Sequence, residues 1–483
     1  MKALAVLGTS SNSGKSWLAT ALCAWLRRQG VRVAPFKAQN MSNNSFVTLD
    51  GGEIGRAQAA QAEASGLIPN VYMNPILLKP SGSLGSQLIL LGQAQQHLSA
   101  TEYYTQIEKL WVVVRDALEY WRDRCDVLVL EGAGSPVELN LMCRDIANLR
   151  PINHLNGRSV LVADIERGGV FAQIVGTWTL LDPTDRDRCL GVIVNKFRGD
   201  LSLFADAPEQ LARRIPINYF GVLPYLDDLQ PESEDSLCRE AEENVRGEKM
   251  AWIRLPHLAN SQDCQPWLLD HGIRVQWVEH PDQLADARII VLPGSKNTIA
   301  DLEWLRRSGF DEAIQHASKR GVPLVGICGG YQMLGESVND PEGIAGDRGV
   351  LTGLNLLPIR TTFLPTKSVS QVTVRWGADR WNAYEIHMGI SVPTQNCAAL
   401  AVVENDKETK AEGCRRNRVW GTYLHGVFES PAVRSELAAT AGLSYYRAAQ
   451  GSWRSHLERV YHRMADALEQ YLELGEIWKY VAV

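Results

Sequence analysis

Residues 4–23 read LAVLGTSSNSGKSWLATALC: an apolar run, a loop rich in glycine and serine, then a segment with helical spacing. A loop set between a strand and a helix aims backbone N–H groups and a helix start at one point, where they can surround phosphate oxygens. Gly8, Thr9, Asn12 and Gly14 shape that loop, Lys15 is placed to reach terminal phosphates, and Ser16 offers a hydroxyl to Mg²⁺. Five residues separate Gly8 from Gly14-Lys15-Ser16, one more than the usual GxxxxGK[ST] spacing.

Working outward, short apolar runs at 3–8, 31–35, 127–131, 159–165, 190–195 and 220–224 alternate with longer periodic segments. This alternation predicts an α/β chain with a parallel sheet. A helix is expected over 16–29, ended by Gly30. The span 40–98 is polar and less regular, and suits either substrate-facing loops or a surface excursion. Domain boundaries are expected at 1–230, a nucleotide-dependent unit; 231–248, an acidic stretch that is either a linker or a solvated helix; 249–440, a second α/β unit with strands at 250–255, 275–278, 289–293 and 323–327; and 441–483, a helical extension. From 356 the second unit turns strand-like, with runs at 369–375 and 398–403.

Magnesium favours oxygen donors, so acidic residues at strand ends are its candidate ligands. Glu131 ends the run VLVLE at the edge where the loop lies, and Asp50, Glu53 and Asp164 compete as weaker candidates. Lys37 either neutralises a phosphate or an acyl phosphate, or is a surface lysine. Asn195 either pairs with an adenine edge or caps a turn.

A formal charge of -6, spread along the chain, offers no basic stripe for nucleic acid. The start shows no secretory cleavage pattern and no later run is long and apolar enough to span a membrane, so a cytoplasmic chain is expected. Nine cysteines without a CxxC pair suggest neither a disulfide framework nor a structural zinc site.

One cysteine differs in its setting. In PLVGICGGYQMLG an apolar strand runs into Cys328, and Gly329 and Gly330 permit a sharp strand-to-helix turn that exposes a nucleophile. His425 in WGTYLHGVFES is the best-placed base, and the amides of Gly294 and Gly329 are suited to an oxyanion.

The long phosphate loop resembles that of the dethiobiotin-synthetase-like branch of P-loop enzymes. Together GTSSNSGKS, VAPFKAQNMSNNSFVTLDGGEIGRAQ, MNPILLKP, LVLEGAGSP, DIERGGVFA, PGSKNT, GICGGYQMLG, YEIHMG and TYLHGVFE resemble, in order and over essentially the full length, the glutamine-hydrolysing cobyric acid synthase family. The resemblance implies an ATP-dependent amidoligase domain joined to a class I glutamine amidotransferase domain. It further implies ATP, Mg²⁺ and glutamine, and amidation of carboxylates b, d, e and g of adenosylcobyrinic acid a,c-diamide, whose cobalt belongs to the substrate. It places the nucleophile at Cys328 and its histidine at His425, and makes Glu385 and His387 of YEIHMG candidates for substrate or orienting contacts. The usual His-x-Glu pattern is absent, since Glu429 lies four residues after His425. Either Glu429 or another group orients the imidazole, or the pair works without such a carboxylate. The alternatives are cobyrinic acid a,c-diamide synthase and a nucleotide-regulated partitioning or scaffold protein.

Overall fold

The computed structural model describes residues 1–80, 85–226, 229, 247–344, 349–405 and 408–482. In the first unit, β1 (Lys2–Gly8), β2 (Val33–Phe36), β3 (Val127–Glu131), β4 (Arg158–Asp164), β5 (Cys189–Phe197) and β6 (Tyr219–Pro224) form one sheet in the order β6-β5-β4-β1-β3-β2. All its pairings are parallel. Residues 3–8 of β1 are buried, as a central strand covered on both faces requires. Helix α1 (Lys15–Arg28) leaves its carboxyl end and stops before Gly30, whose φ of 81° suits a residue without Cβ.

The span expected to be irregular is more ordered than its sequence suggests. Strands Gln39–Met41, Ile76–Pro80, Ser86–Leu90 and Gln93–Leu98 form a small sheet, and a helix covers Arg56–Ala64. Gln93–Leu98 is exposed along most of its length and carries polar residues on both faces, which erases the alternation by which a strand is read.

The second sheet contains β7 (Gly247–Ile253), β8 (Gly272–Val278), β9 (Ile289–Leu292), β10 (Leu324–Ile327), β11 (Cys414–Arg416) and β12 (Val419–Thr422) in the order β8-β7-β9-β10-β12-β11. Only β11 runs antiparallel to its neighbour. Residues 231–246 of the expected linker lie outside the described residues, and Gly247 and Glu248 already belong to β7. A further sheet is built on the long hairpin of strands Ile359–Trp376 and Asp379–Pro393. Its edge pairs Tyr384 with His425, which brings that histidine to the carboxyl edge of the second sheet.

Of the expected helical extension 441–483, Ala441, Leu443 and Tyr446 still pack in the core of the second unit outside any helix, and the helix begins at Trp453. Helix α3 (Trp453–Tyr471) packs Leu457, Val460, Met464 and Leu468 against Leu18, Leu22 and Trp25 of α1. Trp25 Nε1 donates to Glu469 at 3.0 Å, and the Glu473 N–H to the Phe220 carbonyl at 2.8 Å. Its apolar stripe finds its partner in the first unit, a pairing that helical periodicity alone cannot name. Cys264 is disulfide-bonded, which cysteine spacing did not suggest.

Candidate functional site

The phosphate loop follows β1 directly. Gly14 has φ 98°, and a Cβ there would lie 1.9 Å from Asn195 Nδ2; one at Gly8 would meet Ser13 Oγ at 2.4 Å. Both positions therefore demand glycine. Lys15 Nζ donates to the carbonyls of Ser10 (3.0 Å) and Gly134 (2.9 Å). Ser16 Oγ donates to Glu131 Oε1 at 2.7 Å, and Lys37 Nζ reaches the same oxygen at 2.8 Å. Gln61 Nε2 donates to Glu131 Oε2 at 2.6 Å. Burial opposes ionisation of Glu131, but Lys37 and these hydrogen bonds outweigh it and hold the carboxyl below its usual range. Lys15, Ser16, Lys37, Glu131, Asn12, Gly14 and Asn195 line one cavity of about 630 Å³.

Other expected members of this site lie elsewhere or act differently. Thr9 Oγ1 donates to Gln173 at 3.1 Å and braces the loop. Asn195 Nδ2 donates one N–H to the Ser13 carbonyl at 3.0 Å and so buttresses the loop, while the side chain lines the cavity. Asp164 accepts from Lys196 Nζ at 2.9 Å, and the same ammonium donates to the Asn12 carbonyl at 2.6 Å. Its carboxylate therefore supports the loop through Lys196 instead of meeting Ser16. Asp50 is exposed, accepts from Thr48 Oγ1 in the turn 48–52, and does not line this cavity. A short turn is satisfied by its own acidic side chain, which accounts for an aspartate there without a metal.

The thiol centre is assembled from loops at the carboxyl ends of the second sheet. Residues 324–327 are buried, and the chain then turns at Cys328, whose φ and ψ are 52° and -108°. Such a conformation costs about 1–3 kcal/mol in a residue with a Cβ and persists where the surroundings enforce it. They do so here: α2 (Gly329–Leu334) begins so close to β9 that a Cβ on Gly330 would lie 1.9 Å from the Leu292 carbonyl oxygen. A Cβ on Gly329 would lie 2.8 Å from Ser295 N, and one on Gly294 3.2 Å from His425 Cε1. Gly294 and the imidazole thus share one cavity with the thiol, whereas Gly329 packs against Ser295.

His425 Nδ1–H donates to Asp263 Oδ2 at 2.7 Å, and Asp263 Oδ1 accepts the Gly426 N–H at 2.9 Å. Burial disfavours the imidazolium, but the Asp263 carboxylate and the Cys328 sulfur outweigh it and raise His425 to about 10. On its other side, Asn260 Nδ2 stands 3.1 Å from His425 Nε2. That contact favours the opposite state, because an imidazolium would set N–H against N–H. The orientation of Asn260 is fixed by an obligate donor, the Ser45 N–H, which gives 3.0 Å to Oδ1. The contact with Asn260 therefore opposes the pull of Asp263 and Cys328 toward the imidazolium.

Asp263 and Asn260 were not singled out from the sequence. Their one signal is position: LANSQD is a polar run just after the apolar strand β7, at the edge where the loops of Gly294 and Cys328 also emerge. Glu429 is not the orienting carboxylate. It lies against Gly426, and burial pushes it up to about 8. Glu385 faces Lys410 at 3.4 Å and does not line the thiol cavity. His387 does line it, stacks on Tyr423 at 3.8 Å between ring centres, and is pushed down to about 4 by burial.

The cavity holding Cys328, His425, Gly294 and His387, about 730 Å³, is also walled by Glu53, Lys79 and Gln87 of the first unit. Glu53 is paired with Lys79 at 2.5 Å and with Lys367, so it belongs to this wall and not to the phosphate loop. The segment NMSNNS crosses between the centres: Asn40 lines the phosphate cavity, whereas the Ser45 carbonyl accepts from Tyr384 OH at 3.0 Å beside His425.

Residues 4–237 match the CobQ/CobB/MinD/ParA nucleotide binding domain, and residues 249–433 the CobB/CobQ-like glutamine amidotransferase domain. The cobyric acid synthase of Chloroflexus aggregans is 45% identical over 445 residues, 89% of each chain. The chain belongs to the cobyric acid synthase family. That of Synechocystis sp. is 40% identical over 99% of this chain and 98% of its own; that of Moorella thermoacetica is 41% identical over 99% and 96%. The family match spans both α/β units and agrees with their fold. Among the described residues no helix is long and apolar enough to cross a membrane.

Proposed function

We propose that this chain is a cytoplasmic, ATP-dependent, glutamine-hydrolysing amidoligase that converts carboxylates b, d, e and g of adenosylcobyrinic acid a,c-diamide into amides. The observation that carries the reading is the pairing, in one chain, of a phosphate loop with a Cys328, His425 and Asp263 constellation. A scaffold protein has no use for the second.

At the thiol centre, Cys328 attacks the side-chain amide carbon of glutamine while His425 Nε2 takes the thiol proton. Asp263 holds the imidazole in the required tautomer and stabilises its charged form. The amides of Gly294 and Gly329 would receive the developing oxyanion. His425 returns the proton to the departing ammonia, and water, activated by the same imidazole, cleaves the thioester to free glutamate.

At the other centre, a carboxylate resists ammonia because hydroxide leaves poorly. Attack of the substrate carboxylate on the γ-phosphorus of ATP expels ADP and makes an acyl phosphate, from which ammonia, losing a proton, displaces phosphate to leave the amide. Ser16 Oγ and the Glu131 carboxylate are adjacent oxygen donors, and the glycines leave room for phosphate oxygens, so this set fits a magnesium nucleotide. Magnesium, when bound, offsets phosphate charge. Lys15 would follow the phosphates, and Lys37 would neutralise charge on the transferred group.

The test is Cys328→Ser assayed with the adenosylated a,c-diamide and ATP, once with glutamine and once with ammonium at raised pH. Glutamine-dependent amidation should nearly vanish, whereas ammonium should still give the tetra-amide by mass spectrometry. Retained use of glutamine would remove Cys328 from its role. Amidation at only two positions of cobyrinic acid, with none of its a,c-diamide, would reassign the substrate.

A further inference from the structure

The wall of the thiol cavity carries a charge arrangement that glutamine cleavage, as derived above, does not use. Lys79, Lys296 and Lys367 all line it, with Glu53 as the carboxylate among them. Glu53 is 1% exposed. Its two oxygens are taken by Lys79 Nζ at 2.5 Å and by Lys367 Nζ. Lys296 turns to the first unit, donating to Gln87 Oε1 at 2.7 Å, and its backbone N–H is fixed to the His257 carbonyl at 2.8 Å. Among the described residues that line it, three lysine amino groups therefore share a partly enclosed space with one carboxylate. Excess charge of one sign in such a space is costly unless a ligand of the opposite sign joins it.

The crowding is felt by the lysines themselves. Burial, and then the like charges of Lys367 and Lys79, press Lys296 well below the usual lysine range, and Glu53 and the Cys328 sulfur only partly oppose this. A bound anion would relieve it.

The position of the group narrows the identity of that anion. Lys296 stands two residues beyond Gly294, the residue against His425, in the loop that follows β9. A glutamine whose amide carbon meets Cys328 carries its α-carboxylate at the far end of a three-carbon chain, within the same cavity. We infer that Lys296 and Lys367 seat the α-carboxylate of the substrate glutamine, with Lys367 aligned by Glu53 of the other unit, so that both units build the glutamine pocket. This rests on the reading of Cys328 as the glutaminase nucleophile. Recognition by a paired cation also separates glutamine from other primary amides, whose scissile groups are chemically alike.

The experiment measures ammonia release by the full chain and by Lys296→Met, each with L-glutamine and with 4-aminobutanamide, which keeps the amide and amine but lacks the α-carboxylate. For glutamine the variant should lose roughly 10–100-fold in kcat/KM, mostly through KM, as expected when a charge-assisted contact is removed. For the analogue, wild type and variant should be equally poor. The ratio between substrates does not depend on the fraction of folded protein, so a partly folded variant remains informative. Lys367→Met should show the same substrate dependence. Equal proportional losses on both substrates, or an unchanged KM for glutamine, would overturn the inference. If the wild-type chain releases no ammonia from glutamine at all, the reading of the thiol centre itself fails.

Discussion

Asn260 stands between two units: its Oδ1 accepts from the Ser45 N–H at 3.0 Å, and its Nδ2 faces His425 Nε2 at 3.1 Å. In the proposed mechanism Nε2 takes the proton of Cys328. With an amide donating to it, the imidazole lone pair that the proposed mechanism uses is occupied. The segment holding Asn260 begins in the phosphate cavity, where Asn40 Nδ2 donates to Gln58 Oε1 at 2.9 Å. Replacing Asn260 by alanine frees Nε2. Glutamate release without nucleotide or corrinoid should then rise about 2–10-fold, the range for losing one competing hydrogen bond. A fall would mean that the amide serves to hold the ring.

Asp263→Asn keeps the shape of the orienting group while removing its charge. The asparagine amide can donate to Nδ1 and so favours the wrong tautomer, with the proton on Nε2. Glutamine-dependent turnover should fall by about 10⁴-fold, as when the aspartate of a serine triad is so altered. The same assay on Glu429→Gln should show a far smaller loss, because Glu429 lies against Gly426 and leaves the imidazole to Asp263. Comparable losses would return Glu429 to the orienting role.

How much of this was readable in the sequence follows from how local each feature is. Parallel strands buried on both faces show as continuous apolar runs, and the glycines at 8, 14, 329 and 330 mark turns that no other residue fits. Asp263 escaped notice because its partner lies 162 residues away, and nothing in LANSQD alone distinguishes a triad member from a polar turn. Asp164 and Glu53 were acidic residues in suggestive places, and their lysine partners decide their roles. Lys196 lies 32 residues from Asp164, and Lys367 lies 314 residues from Glu53. Helix α3 was legible as a helix, but its docking on α1 depends on which apolar stripe remains uncovered once both sheets have formed.

Glu412 gives a stability prediction with a defined sign. Burial pushes it up to about 7, with Glu385 adding to the effect, while the Thr422 hydroxyl and Tyr423 N–H, each 2.7 Å away, oppose it. A folded pKa above the unfolded value of about 4.3 means that the folded chain binds this proton more tightly. The stabilisation is complete below the unfolded pKa and is lost as pH rises through about 7. Glutamine at this position can still accept from Tyr423 and donate to Thr422. Glu412→Gln should therefore melt near wild type at pH 5 and above it at pH 8, as followed by thermal scans. A melting difference independent of pH would show that Glu412 does not titrate in this window.

Glu131 separates metal binding from loop packing. Its Oε1 accepts from both Ser16 Oγ and Lys37 Nζ, and its Oε2 from Gln61, so the carboxylate is the hub of the phosphate site. Glu131→Gln preserves volume, but it replaces an anion with a neutral amide whose N–H₂ must face either Lys37 or Gln61. The variant should need much more Mg²⁺ for half-maximal amidation and should lose most of its turnover even at saturating magnesium, because an amide is a poorer ligand for a hard cation. Its thiol centre lies in the other unit, so basal glutamine hydrolysis should persist. Titrating Mg²⁺ at fixed ATP, with ammonium in place of glutamine, reads the first effect without interference from the second centre. An unchanged magnesium requirement with full phosphoryl transfer would leave Glu131 a purely structural anchor for Lys37. Loss of both amidation and basal glutaminase in a folded variant would instead show that the segment from Asn40 to Ser45 transmits the state of the phosphate site to His425.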